Sequence, residues 1–311
     1  MIVGITGGTG FIGRALTEHL TQLGHGVRIF SRNPDRRVPL PDAVELVRWS
    51  TEPEDRGWYD ATSDLDAIIH LAGEQVVGRR WTAVSRERIT QSRVGGVEAL
   101  LSAMAATQSR VQVMICASGV GYYGARSAAD ELGEEEAPGT DFLAELCVAW
   151  ERATAPASAL GVRVVNARLG IVLGSGGGAL STMALPFRLG IGGSLGDGQQ
   201  MVSWVHLDDV VRQFAECLCN SSLAGPMNFT APRPVNNEVL SAEIARALKR
   251  PCAFRVPEWA LKLRFGESAF PILTGQCALP KRFLRANFEW RFPEVSPALG
   301  AILRPGISQA P

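Results

Sequence analysis

The stretch Met1-Ile2-Val3-Gly4-Ile5-Thr6-Gly7-Gly8-Thr9-Gly10-Phe11-Ile12-Gly13 decides how the chain folds. Residues 1–5 are a short apolar run of the kind that forms a strand buried in a parallel sheet. After it the spacing becomes helical, with Phe11, Ala15, Leu16 and Leu20 on one face. Between the two, Gly7, Gly10 and Gly13 suit a backbone that turns sharply and then lets a pyrophosphate approach the helix. Thr9, Phe11 and Ile12 complete the turn, whose free amides and positive dipole end favour an anion. A glycine triplet alone is a weak signal, but strand, turn and helix in this order make a strong one.

Working outward, Gly26–Phe30 reads as a second strand that ends at Ser31-Arg32. In a nucleotide-binding βαβ unit this end faces the adenosine ribose. An acid there favours NAD, whereas an arginine accommodates a 2′-phosphate. With Ser31 and Arg32 and no acid at the tip, the expectation is NADP(H). Residues 44–49 read as a third strand. Residues 67–73 read as a fourth, ending in Leu71-Ala72-Gly73, where small residues let a cofactor pass close to the backbone. His70, inside that apolar strand, reads as a hydrogen-bonded core residue. The basic segment from Arg79 to Arg93 reads mostly as a solvated helix face.

A fifth strand over residues 111–117 runs into Ser118-Gly119-Val120-Gly121-Tyr122-Tyr123-Gly124, which puts a serine and two tyrosines where a bound substrate would lie. A helix is expected over residues 142–160, a sixth strand over 162–168 and a helix over 179–189. Residues 192–198 read equally well as a lid or a surface turn, and 201–205 as a strand. Asp208 reads as the N-cap of the next helix, with Asp209 in its first turn. The βαβ rhythm predicts an α/β fold with a doubly wound parallel sheet and a smaller C-terminal cap. The expected division is 1–173, joined by 201–224, for the dinucleotide-binding domain, and 174–200 with 225–311 for the substrate cap.

Composition bounds the partners. The 311 residues are 46% apolar and 20% charged, with Lys+Arg and Asp+Glu at 31 each. Nothing in that balance argues for nucleic acid or a membrane surface. No apolar run approaches the roughly 20 residues that span a bilayer. The six cysteines are scattered. Cys217 and Cys219, one residue apart on a helix, suit neither a disulfide nor a metal site. Reduced thiols and a cytoplasmic location are expected.

These strings, with residues 203–209, resemble the extended short-chain dehydrogenase/reductase superfamily and its Rossmann fold. The closer resemblance is to an atypical epimerase-like branch, the YfcH-like and family 39U member 1-like proteins. It is carried by Trp81 with Ser92-Arg93, by Gly121–Gly124, Asp141–Ala144, Gly176–Ala179, Pro186–Gly190 and Leu279–Arg282, and it spans nearly the whole chain. The resemblance implies that Ser31 and Arg32 bind the adenosine phosphate of NADPH and that Leu71 and Ala72 line the cofactor. It further implies that Arg93 contacts cofactor where ordinary members carry Asn, and that Val172 passes the nicotinamide end. Related enzymes often pair, so a homodimer is an expectation.

The chain departs from the superfamily at its usual acid/base. Registering Tyr-x-x-x-Lys on Glu151 puts Leu143 in the tyrosine's place and Cys147 in the lysine's. A leucine transfers no proton, and an uncharged thiol cannot replace an ammonium. The remaining catalytic candidates are Tyr123, ranked first because it immediately precedes Gly124, then Tyr122, with Ser118 as a donor to a carbonyl. Three readings stay open at this point: an NADP(H)-dependent oxidoreductase or epimerase on a small carbonyl or sugar-type substrate, a non-catalytic NADPH sensor, and a non-redox isomerase or cyclase.

Overall fold

A computed structural model describes residues 1–35, 38–76 and 80–304. Ile2–Thr6 forms β1, which is buried on both faces because strands and helices cover it on every side. Gly26–Ser31 (β2), Glu45–Arg48 (β3), Ala67–His70 (β4), Val113–Gly119 (β5), Arg163–Leu169 (β6) and Gly225–Phe229 (β7) complete one seven-stranded sheet. Every pairing in it is parallel, in the order β3-β2-β1-β4-β5-β6-β7. The direction of winding reverses between β1 and β4, whose register runs Val3↔Ala67 to Thr6↔His70. The crevice beyond the carboxyl ends of these two strands is therefore where a ligand belongs in such a sheet.

The helices sort to the two faces by their apolar stripes. On one face Phe11–Gln22 (α1) buries Leu16 and Leu20, and Leu207–Cys219 (α5) packs beside it through Val210 and Phe214. On the other, Ala83–Thr107 (α2) and Phe142–Ala153 (α3) bury Val97, Leu100, Met104 and Trp150 against Ile68 and Met114. Burying each such aliphatic side chain is worth about 1.5–3 kcal/mol. Helix α2 starts at Thr82, where a capping box with Ser85 satisfies the first amides. A third core joins Gly178–Arg188 (α4), Asn237–Leu248 (α6) and the C-terminal helix through Leu180, Phe187, Trp204, Leu240 and Leu299. Glu258–Phe265 (α7) follows and buries only Leu261.

Several expectations need correction. The cap was expected to take all of 225–311, but β7 pairs with β6 and closes the main sheet, so residues 225–229 belong there. Residues 305–311 of that expected cap lie outside the described residues, as does Arg79 of the basic segment. Helix α3 ends at Ala153 rather than 160, and a 3-10 turn over Ala155–Leu160, with Pro156 near its start, takes over. Where a lid or a surface turn was read at 192–198, Gly193–Leu195 is a strand paired with Phe254–Val256. Ser203 splits the expected strand at 201–205 into Met201–Val202 and Trp204–His206, which pair with different partners. The N-cap of α5 is His206, whose Nδ1 accepts from the Asp208 amide at 3.0 Å, not Asp208. Asp209 is fully buried and takes the Arg291 and Phe292 amides at 2.7 and 2.9 Å, fastening the C-terminal segment.

None of the cysteines is in a disulfide, and Cys116, Cys147, Cys217 and Cys277 are buried. No group of three or more metal-ligating side chains is brought together among the described residues. None of the described helices is long and apolar enough to cross a membrane.

Candidate active site

The turn after β1 brings glycine backbone where side chains would block it. Gly7 has φ +70°, and a Cβ there would sit 2.8 Å from the Leu71 carbonyl carbon. A Cβ on Gly13 would fall 2.3 Å from the Gly7 carbonyl oxygen. The turn is thus pressed against both the strand end at Leu71-Ala72 and the start of α1. Gly10 is the N-cap of α1, with no side-chain cap and no acid in the first turn, so the amide end of the helix stays open to an anion. Thr9 and Ile12 are half-buried beside it.

The β4 end is tied to β1 from below. The Leu71 amide donates to the Thr6 carbonyl at 3.1 Å and the Ala72 amide to Thr6 Oγ1 at 3.3 Å. The same hydroxyl meets His70 Nδ1 at 2.7 Å, so His70 is the core residue expected of it. Burial, helped by the Arg93 charge, pulls its pKa down to about 4.

Arg93 is the most informative side chain at this end. It lies on α2, is only 9% exposed, and approaches Gly73 closely enough that a Cβ there would meet its Cζ at 3.0 Å. Its Nη1 donates to the Ile89 carbonyl at 3.2 Å and to Ser92 Oγ at 3.4 Å, and its guanidinium lies over Trp150 at 5.0 Å. No carboxylate among the described residues pairs with it. Burial disfavours its charged form and lowers its pKa. A buried cation of this kind at the mouth of the crevice suits an anionic ligand.

Ser31 ends β2, with Arg32 exposed immediately after it, both at the carboxyl edge next to β1. Ser31 Oγ accepts from the Asn33 amide at 3.2 Å. Val172 lies in Ile171–Leu173, a strand paired with Trp204–His206, and is 9% exposed within the same core as α1. One contact escaped the sequence reading. The glycine-rich segment folds back on the start of α1, and Cβ atoms on Gly174, Gly177 and Gly178 would lie 2.6–2.9 Å from the Phe11 ring. Its only signal was the glycine content, which does not say what the backbone approaches.

The β5 end is different in kind. Ser118 Oγ donates to Glu151 Oε1 at 2.8 Å. Glu151 forms a two-pronged ion pair with Arg168, Nε to Oε1 and Nη2 to Oε2, each at 2.9 Å. Arg168 Nη1 donates to Tyr123 Oη and to the Glu134 carbonyl, both at 3.0 Å. Tyr123 Oη donates in turn to Asn228 Oδ1 at 2.8 Å. Burial lowers the Arg168 pKa, but the hydrogen bonds and charge of Glu151 outweigh it and hold the guanidinium above the usual arginine range.

This network corrects the ranking of the tyrosines. Tyr123 is fully buried, its hydroxyl is committed twice, and burial pushes its pKa up to about 12 despite the Arg168 charge beside it. Buried and held from two sides, this phenol is placed to hold the fold together. Tyr122 is half-buried, with the Arg168 Cζ 3.4 Å from its ring centroid, and its hydroxyl meets no partner among the described residues. Leu143, in the tyrosine's usual place, lies over Gly121. Cys147, in the lysine's place, is buried and its pKa is pushed up to about 11, so at neutral pH it is an uncharged thiol. Neither the Glu151–Arg168 pair nor the Asn228 contact was legible in the sequence, because their members lie on two strands, a 3-10 turn and a helix.

Comparison with known proteins agrees with this architecture. Residues 3–228 match the family model described as the NAD dependent epimerase/dehydratase family, and residues 256–302 match a domain of unknown function, DUF1731. An epimerase family protein of Mycobacterium bovis is 39% identical over 310 residues, covering 98% of this chain and 99% of that protein. The crystal structure of the human epimerase family protein SDR39U1 (isoform 2) with NADPH matches at a TM-score of 0.85 and 31% identity, over 97% of this chain and 99% of that one. A Thermotoga maritima UDP-glucose 4-epimerase with UDP-glucose matches at a TM-score of 0.78, over 97% of each chain. At 19% identity it shows the fold alone. The glycine turn, the switch point between β1 and β4 and these matches together place the chain in the NAD dependent epimerase/dehydratase family.

Proposed function

We propose that the chain binds NADP(H) and uses it as an oxidoreductase on a small carbonyl compound, with Tyr122 supplying the proton. The observation that carries the cofactor reading is Arg93, a buried guanidinium that no carboxylate among the described residues pairs with, set against Gly73 at the end of β4. The open amide end of α1, from Gly7 to Gly13, would take the pyrophosphate. Ser31 and Arg32 would take the 2′-phosphate, with Leu71, Ala72, Gly73 and Val172 along the cofactor's length. The human relative of known structure, held with NADPH, supports the same reading. The reduced, unpaired cysteines fit the cytoplasmic location expected from the sequence.

When bound, the nicotinamide supplies or accepts hydride. The chain must supply the proton, and Tyr122 carries the hydroxyl that the described residues leave uncommitted. Ser118 can donate to a substrate oxygen only by giving up its bond to Glu151. A phenol serves as an acid near neutral pH better than as a base, so reduction should outrun oxidation. The sensor reading draws support from one observation: Ser118, Glu151, Arg168, Tyr123 and Asn228 spend their hydrogen bonds on one another.

Calorimetry with NADPH and NADH tests the cofactor. Arg32→Ala should weaken NADPH by about 1.5–3 kcal/mol and leave NADH nearly unchanged. Equal affinity of the unmutated chain for both would overturn NADP preference. Deuteride transfer from labelled NADPH to a carbonyl panel tests the chemistry. Tight NADPH binding with no transfer to any member would favour the sensor.

A further inference from the structure

A cleft of about 820 Å³ opens between the starts of α2 and α3 and the helix α7 with the turns that follow it. Both α2 and α3 begin at the carboxyl side of the sheet, and Phe142 in the cleft precedes Leu143, which covers Gly121 beside Tyr122. The volume suits a small molecule.

Its walls are aromatic. Trp81 and Phe142 meet edge to face at 4.9 Å, and Trp81 is held in place by its Nε1, which donates to the Val76 carbonyl at 2.9 Å. Across from them Phe270 remains 36% exposed. Faces arranged this way offer stacking to a flat ligand.

The charges in the cleft select against anions. Four carboxylates and two cations line it, and both cations are already engaged. Arg86 pairs with Glu267 while lying over the Phe142 ring at 4.9 Å, and Lys262 pairs with Glu258 at 2.5 Å. Asp141 is spent capping α3, accepting the Leu143 amide at 2.9 Å, and Asp197 accepts from the Gln199 amide at 3.0 Å. The described lining residues thus offer a phosphate group no uncommitted cation and two carboxylates to repel it.

We infer that this cleft takes a flat, uncharged aromatic carbonyl compound rather than a nucleoside diphosphate sugar. That the ligand is a carbonyl rests on the proposed oxidoreductase function; that it is flat and uncharged rests on the cleft alone.

The test uses the full chain loaded with NADPH and three probes: 2-acetonaphthone, 2-naphthoate and UDP-glucose, each titrated by ligand-observed NMR. The expected result is saturable binding of 2-acetonaphthone, with 2-naphthoate and UDP-glucose at least about tenfold weaker. Phe270→Ala, at an exposed position, should weaken the ketone about fivefold while leaving the NADPH affinity unchanged. Glu267→Gln should free Arg86 and narrow the gap between naphthoate and ketone by about fivefold. UDP-glucose binding as tight as the ketone, no saturable ketone binding, or an unchanged ketone affinity in both Phe270→Ala and Phe142→Ala would overturn the inference. If the ketone binds but is never reduced, the cleft assignment stands and the hydride reading falls. Deuteride delivered from labelled NADPH to the carbonyl carbon of a nucleoside diphosphate 4-keto sugar, which becomes the alcohol on taking up a proton, does the reverse.

Discussion

At the β1–β4 end of the crevice, Arg93 is buried with no carboxylate partner among the described residues, and α1 begins without a side-chain cap. At the β5–β6 end, Ser118, Glu151, Arg168, Tyr123 and Asn228 answer one another's hydrogen bonds. The first region has unspent donors and depends on a ligand to use them. The second has spent its donors on itself and so contributes to stability more than to chemistry. The contrast separates residues whose loss should be read in cofactor affinity from residues whose loss should be read in unfolding.

The largest expected effect breaks the closed region. Arg168→Met removes the buried cation and leaves the largely enclosed Glu151 without its partner, and should cost about 3–5 kcal/mol of stability in urea unfolding. A loss under about 1 kcal/mol would mean that the pair is not the keystone of that end.

Next comes a pH effect at His70, which lies under the open end between Trp49 and Trp150. Its folded pKa of about 4 is below the unfolded value of 6.5, so the unfolded chain binds the proton first as the pH falls. The stability is fully present above pH 6.5 and is lost on descent toward pH 4, by about 3 kcal/mol in all. His70→Gln should flatten that part of the profile in unfolding measured from pH 7.5 to 4.

The third prediction sharpens the comparison directly. Arg93→Met should weaken NADPH by about 1.5–3 kcal/mol, the worth of hydrogen bonds to a charged group. The unliganded chain should keep its stability within about 1 kcal/mol. No carboxylate among the described residues loses its partner, and what is given up is the contact over Trp150 and the bonds to the Ile89 carbonyl and Ser92 Oγ. Calorimetry and urea unfolding on one preparation read both quantities. A large loss of stability with no change in NADPH affinity would move Arg93 into the closed class.

The smallest effect concerns the two neighbouring tyrosines. Tyr123→Phe removes the link between Arg168 and Asn228 and should cost about 1–2 kcal/mol, while any carbonyl reduction persists. Tyr122→Phe should do the opposite, sparing stability and NADPH binding while lowering turnover. Equal turnover in both variants would remove the tyrosine from the proton path.

The sequence by itself determined the glycine turn, the order of the first six strands, the Ser31-Arg32 tip and the vacancy at Leu143 and Cys147. The first three are local facts, carried by spacing within one strand–turn–helix unit or by a motif of a few residues; the vacancy is what the resemblance to extended dehydrogenases implies. It also placed His70 correctly, because a lone histidine in an apolar strand must find a partner there. Only the tertiary structure decided which tyrosine is free, since Tyr122 and Tyr123 are neighbours in sequence and differ only in which way each ring points. It alone returned residues 225–229 to the main sheet, through a register with β6 more than fifty residues away. And it alone showed that Arg93 is buried with no carboxylate partner among the described residues, whereas Arg168 is paired. Two arginines look alike in a sequence; whether a carboxylate reaches each is settled by long-range packing, which local spacing does not encode.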